Sequence, residues 1–169
     1  MGRLFAVPVG GTEACSARGG AMSEGRPSPA LWIRAGLAFV ALGELLIGVW
    51  ALFLPESFYA DFPFSGHDWV STLGPYDEHL VRDVGELNLA FSVLLAFAAI
   101  LLDRRLLRVS LVAYLVYTVP HFVFHTMQTH AFSAGDNLAQ LVSLGLQVVL
   151  PAAILFGIVL RGSSGRKEI

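Results

Sequence analysis

The chain has 169 residues, 55% of them hydrophobic and 14% charged. A soluble domain carries roughly a quarter charged residues, so this composition excludes an ordinary soluble fold. A formal net charge of −2 leaves no electrostatic footprint for nucleic acid, which is therefore not expected as a partner. The single cysteine, Cys15, cannot form an internal disulfide and rules out redox or zinc chemistry through paired cysteines.

Residues 1–30 are rich in Gly, Ala, Ser and Pro and show no apolar period. Val7-Pro8-Val9-Gly10-Gly11 cannot sustain a helix, and the stretch lacks the apolar core of a signal peptide. A disordered cytoplasmic tail is expected there. Met22 opens Met-Ser-Glu-Gly-Arg-Pro-Ser-Pro and reads as a natural start, which makes residues 1–21 an extension that is not always translated. Intact mass of the native protein checks this.

Four apolar stretches follow, at 31–54, 80–102, 106–126 and 138–160. Each has about 21–24 residues, enough for a helix rising 1.5 Å per residue to cross ~30 Å of hydrocarbon. Only a helix satisfies its own backbone groups in that environment, so the fold class is all-α: a four-helix transmembrane bundle. Pro120 and Pro151 interrupt two spans, which membrane helices tolerate. The spans make one transmembrane domain over 31–160, and residues 161–169 form a cytoplasmic tail.

The basic residues set the orientation. Arg3, Arg18, Arg26 and Arg34 precede or open the first span, Arg104, Arg105 and Arg108 fill the turn between the second and third, and Arg161, Arg166 and Lys167 follow the fourth. Four crossings put all of these on one side, leaving Arg82 as the exception among the eleven basic residues. Glu56, Asp61, Asp68, Asp77, Glu78 and Asp136 fall on the other side. Basic residues stay inside, so both termini are expected in the cytoplasm and the protein in a bacterial plasma membrane.

The outer loop, 55–79, interleaves Phe58, Tyr59, Phe62, Phe64, Trp69 and Tyr76 with Pro55, Pro63 and Pro75. Aromatic residues favour the headgroup region, so the loop reads as a lid on the membrane surface or as a connector with interfacial anchors.

Ionisable residues inside the spans are costly and mark candidate sites. On a helix His79, Asp83 and Glu86 share a face, and Arg82 reaches Glu86 at i,i+4. His121 and His125 have the i,i+4 spacing by which two imidazoles share a metal. Glu44 lies mid-span, and Gln140, Ser143 and Gln147 form a stripe on the fourth helix. Counting inward at 1.5 Å per residue puts Glu86 and His121 ~8–9 Å deep, and Glu44 and Gln147 ~15 Å deep. The expected cluster is therefore Glu44, His79, Arg82, Asp83, Glu86, His121, His125, Gln140 and Gln147, opening outward. As a structural network it would pair Arg82 with Glu86, His121 with Asp83 and Glu44 with Gln147. It could instead hold a metal ion or haem through His121, His125 and Glu86, receive a quinone, lipid or other small amphiphile under the loop, or form a proton or ion path. Phosphate loops, nucleophile elbows and His-Glu-x-x-His helices are lacking. Gly36, Gly43 and Gly48 permit close helix approach, within the bundle or between copies.

Arg34-Ala-Gly-Leu-Ala-Phe-Val-Ala-Leu-Gly43-Glu-Leu-Leu-Ile-Gly48, closed by Pro55, resembles the first span of DoxX-like membrane proteins. Gly85-Glu86-Leu87-Asn88-Leu89 resembles their Gly-Glu helix, and the segment from Gly74 to Gly85 is similar to one in uncharacterised four-span actinobacterial proteins. The resemblance covers about 31–160 and implies a four-helix bundle, in some members tied to quinone or redox systems. The leading expectation is a non-enzymatic accessory or ligand-binding membrane protein, in contact with the bilayer and with a small amphiphile or a membrane-protein partner. A metal- or quinone-dependent oxidoreductase component is the alternative, and a small oligomeric transporter the third.

Overall fold

A computed structural model describes residues 29–164, with side chains over 30–160. The expected tails, save for their edges, lie outside the described residues. Four long helices carry the fold: α1 (Pro29–Phe53), α3 (Glu78–Leu101), α4 (Arg104–Met127) and α5 (Ala134–Ser164). A short helix, α2 (Pro55–Asp61), follows α1 directly. All four long helices are long and apolar enough to cross a membrane, and no strand occurs among the described residues. The protein is an all-α, multi-pass membrane bundle. Its first helix starts two residues earlier than the sequence suggests, and α5 runs past the expected end at 160 to Ser164.

The helix ends follow from local chemistry. Pro55 cannot continue α1 but suits the first turn of α2, so the chain bends between Phe53 and Pro55. Asp77 caps α3 by accepting a hydrogen bond from the Leu80 amide at 3.1 Å. Leu102 ends α3 in the left-handed conformation, with φ of 51°, and Asp103 then caps α4 through the amides of Arg105 and Leu106. A two-residue turn leaves α3 and α4 antiparallel neighbours. Ser133 and Asp136 cap α5 reciprocally: the Asp136 amide donates to Ser133 Oγ at 3.1 Å, and Ser133 Oγ donates to Asp136 Oδ2 at 2.6 Å. Both α4 and α5 run unbroken through their prolines, Pro120 and Pro151.

The bundle has two dissimilar ends. At the end bearing the α3–α4 turn, Leu37, Val40 and Ala41 of α1 pack with Leu95, Ala98 and Ala99 of α3 and Leu107, Leu111 and Tyr114 of α4. Ile158 of α5 completes this core, and Leu150 and Ile154 of α5 close over Gly36. The tightest crossing joins α1 and α3. A Cβ at Gly85 would stand 2.6 Å from the Leu52 amide nitrogen, and one at Gly48 would stand 2.9 Å from the Gly85 carbonyl. Only glycine permits that approach at either position. Further along the same seam Ser92 donates to the Ala41 carbonyl at 2.9 Å. Gly48 therefore serves packing within the bundle, whereas a Cβ at Gly43 would meet nothing within 4 Å.

Away from these contacts the helices are apolar outward. Trp32, Phe39, Leu46, Phe97, Val116 and Phe156 are all well exposed from the protein. On α5 only 11% of the most apolar window is buried, so most of its circumference is left to lipid.

Candidate functional site

At the other end, where α2 and the long loop lie, the packed core gives way to a cavity of about 580 Å³. All four long helices wall it. Ile47 comes from α1, Val81, Val84 and Asn88 from α3, Tyr117, His121, Phe124 and His125 from α4, and Gln140, Ser143 and Gln147 from α5. Phe58, Tyr59, Phe62, Phe64, Trp69 and Val70 line it from the loop region. The loop is thus a roof over the chamber.

Ring packing and three polar anchors build that roof. Phe58 contacts Phe62 with centroids 4.7 Å apart, and Trp50 of α1 meets Phe58 edge-on at 5.7 Å. The Trp50 indole N–H donates to Ser57 at 3.2 Å, tying α1 to α2. Tyr59 donates to the Gly74 carbonyl at 2.7 Å, folding the loop back on itself. Asp136, in the first turn of α5, accepts from Trp69 Nε1 at 2.9 Å and lies 2.8 Å from His67 Nδ1. One carboxylate therefore fastens the far side of the roof to α5.

The polar wall comes from α4 and α5. Tyr114, Tyr117, His121 and His125 fall on one stripe of α4 at i,i+3 and i,i+4 spacings. Tyr117 and His121 stack at 5.9 Å, and His121 meets His125 edge-on at 4.7 Å. His121 lines the chamber and is an exposed residue. His125 Nδ1 lies 2.7 Å from Gln140 Oε1. Gln140 is 3% exposed, and its amide nitrogen has no hydrogen-bond partner among the described residues. Asn88 of α3 donates to the Val84 carbonyl at 2.7 Å and to the Tyr117 hydroxyl at 3.3 Å. Directly beneath, Tyr114 donates to Glu44 Oε1 at 2.5 Å and lies 3.5 Å from Gln147 Oε1. Glu44 Oε2 has no partner among the described residues, though the side chain is fully buried.

Of the residues expected to converge, His121, His125, Gln140 and Gln147 line the chamber, and Glu44 sits under it through Tyr114. Glu44 and Gln147 do stand at one level, but instead of the expected direct pair each meets the Tyr114 hydroxyl. Glu86 departs from expectation. It is exposed and does not line the chamber, because α3 turns Val81, Gly85, Asn88 and Ser92 inward and so turns Glu86 out. His79 and Asp83 share that outer face, 3.4 Å apart at Nδ1 and Oδ1. His121 therefore does not pair with Asp83. Arg82 pairs with Glu78, through Nε and Nη2 each at 2.8 Å, rather than with Glu86. Its Nη1 donates to the Leu52 carbonyl, a free acceptor at the end of α1. Helix capping thus accounts for the position of Arg82. The trio His121, His125 and Glu86 is not assembled, and among the described residues no three His, Cys, Asp or Glu side chains gather to hold a metal ion.

The structure adds Tyr117, Asn88 and the Tyr114 bridge, none singled out from the sequence as site residues. The four-residue stripe on α4 was a usable signal for the two tyrosines. Comparison with protein-family models, with curated proteins and with solved structures finds no match.

Proposed function

We infer that this protein binds a small amphiphile in the outer leaflet of a bacterial plasma membrane, as a non-enzymatic accessory or ligand-binding bundle with both termini in the cytoplasm. One observation carries the reading: a chamber of about 580 Å³ with an aromatic roof and a short polar wall. Ligand sites have that size and lining, roughly 300–1,000 Å³ of mainly apolar surface with a few convergent polar groups. The orientation rests on Arg34, Arg104, Arg105 and Arg108 clustering at the α3–α4 turn end, away from the chamber. Kinship with DoxX-like proteins is part of the proposal. Gly85, which opens the resembling Gly-Glu segment, lies where α1 and α3 cross most closely.

Extraction and mass spectrometry of what co-purifies with the native protein test the reading. A bound amphiphile lost on His121→Ala, with the bundle still folded, is the expected result. Unchanged occupancy in that variant overturns it. A second reading, a redox component, draws on the His121–His125 contact at 4.7 Å between ring centroids. Elemental analysis and a visible spectrum of the purified protein decide it; a stoichiometric metal or haem band would displace the accessory role.

A further inference from the structure

Three buried side-chain polar atoms lack a hydrogen-bond partner among the described residues: Glu44 Oε2, Ser110 Oγ and Gln140 Nε2. Ser110 belongs to α4 at the closed end of the bundle, and Glu44 lies under the chamber floor. Gln140 alone of the three lines the chamber. An unpaired buried amide N–H costs a native protein on the order of 1–3 kcal/mol, so such a group calls for a partner.

The chemistry of that partner follows from what surrounds the amide. With His125 Nδ1 protonated it donates to Gln140 Oε1 at 2.7 Å, and in that arrangement the NH₂ has no partner among the described residues. A free N–H donor calls for an acceptor oxygen. No Lys or Arg lines the chamber, and Arg82 is committed to Glu78 and the Leu52 carbonyl. The lining's one carboxylate, Asp77, is occupied as the cap of α3. A phosphate or carboxylate headgroup would enter without a permanent countercharge, since His121 and His125 are the only bases in the lining, and at a large desolvation cost. The remaining lining is dominated by apolar and aromatic side chains from the roof and α3.

Resting on the ligand-binding reading above, we propose that the chamber selects a neutral long-chain amphiphile carrying a carbonyl group, an ester or an amide. Its carbonyl oxygen accepts from Gln140 Nε2, and its apolar body lies under Phe58, Phe62 and Trp69. Gln140 Nε2 is itself buried behind the chamber wall, so the ligand's carbonyl is met only when the Gln140 side chain turns and gives up its contact with His125. Tyr117, His121 and Asn88 are placed for further polar groups on the same head.

The test compares monooleoylglycerol with its ether counterpart, which differs only in lacking the carbonyl, on the full-length protein in detergent. Intrinsic tryptophan emission, to which Trp69 on the chamber wall contributes beside Trp32 and Trp50, reads occupancy. The ester is expected to bind roughly tenfold tighter, the size of effect that one satisfied buried donor supplies. Oleoyl lysophosphatidate is expected not to displace it. Gln140→Leu should bring ester and ether to equal affinity; the ester–ether comparison on the unaltered protein stands even where that variant fails to fold. Equal affinity for ester and ether in the unaltered protein overturns carbonyl selection and leaves the chamber reading intact. Tight binding of the lysophosphatidate overturns neutrality. Binding of none of the three removes the chamber reading and this inference together.

Discussion

The two ends of the bundle are built from the same four helices to opposite effect. At the turn end, small and aliphatic residues such as Leu37, Ala41, Ala98 and Leu111 are buried against one another. At the loop end, tyrosines, histidines and amides stand around open space. Burial in lipid offers no hydrophobic gain between helices, so association rests on close packing and interhelical hydrogen bonds. The closed end and the Gly48–Gly85 crossing supply the packing, while Ser92 to Ala41 and Tyr114 to Glu44 supply the bonds. A cavity at the other end is tolerable because stability is concentrated where the helices touch.

That division predicts a ranking of mutational effects. The largest belongs to Gly85→Leu. A side chain there must enter space already held by the Leu52 backbone, which cannot yield without separating α1 from α3. Overpacking costs typically 1–3 kcal/mol, and backbone contact places this change at about 3 kcal/mol or beyond. Chemical unfolding in detergent should show it, with Gly43→Ala nearly neutral because its added methyl meets nothing. Equal losses from the two would mean that the crossing does not hold the pair together.

Next comes Tyr114→Phe, which removes the single donor to Glu44 and leaves both carboxyl oxygens unpaired in the interior. A loss of about 1–3 kcal/mol is expected. Glu44→Gln in the same background should recover part of it by removing the carboxyl. A double-mutant cycle measures the coupling directly, and purely additive losses would break the link drawn here between floor and core.

Asp136→Ala acts on the roof rather than on the bundle. It removes the acceptor shared by Trp69 and His67, together with the capping partner of Ser133. Thermal stability should fall little, whereas dissociation of a chamber-bound amphiphile should accelerate several-fold, as loosened lids do. Stopped-flow displacement followed through intrinsic tryptophan emission checks this. An unaltered off-rate would make the loop a connector instead of a lid.

How far the sequence discloses this arrangement depends on which constraint acts. Span number and length were legible because the bilayer fixes both, and the four helices fall within a few residues of the apolar runs. Matching depths put Glu44 and Gln147 at one level, since helices standing side by side share levels, but did not disclose that Tyr114 stands between them. Depth says nothing about rotation, and there the reading of α3 failed. His79, Asp83 and Glu86 do share a face, but Gly85, Asn88 and Ser92 decide which face turns inward. The close approach at Gly85 and the bond from Ser92 to Ala41 outweigh any tendency of the carboxylates to be buried. Arg82 similarly finds Glu78 and the end of α1, a partner invisible until α1 and α3 are docked.

The smallest expected effect follows from that rotation. Glu86→Gln lies on the exposed side of α3, among residues without a role in the packed core. Stability should change by less than about 0.5 kcal/mol, as for surface substitutions generally. Occupancy of the chamber should not change at all, in contrast to His121→Ala one helix away. The two variants together separate outward-facing charge from chamber chemistry. A large loss of binding with Glu86→Gln would mean that α3 is rotated by roughly a quarter turn, since adjacent positions on a 3.6-residue helix differ by that much. Gly85 would then no longer face α1, and Gly85→Leu would become harmless. The smallest prediction and the largest are thus bound to one helix orientation and stand or fall together.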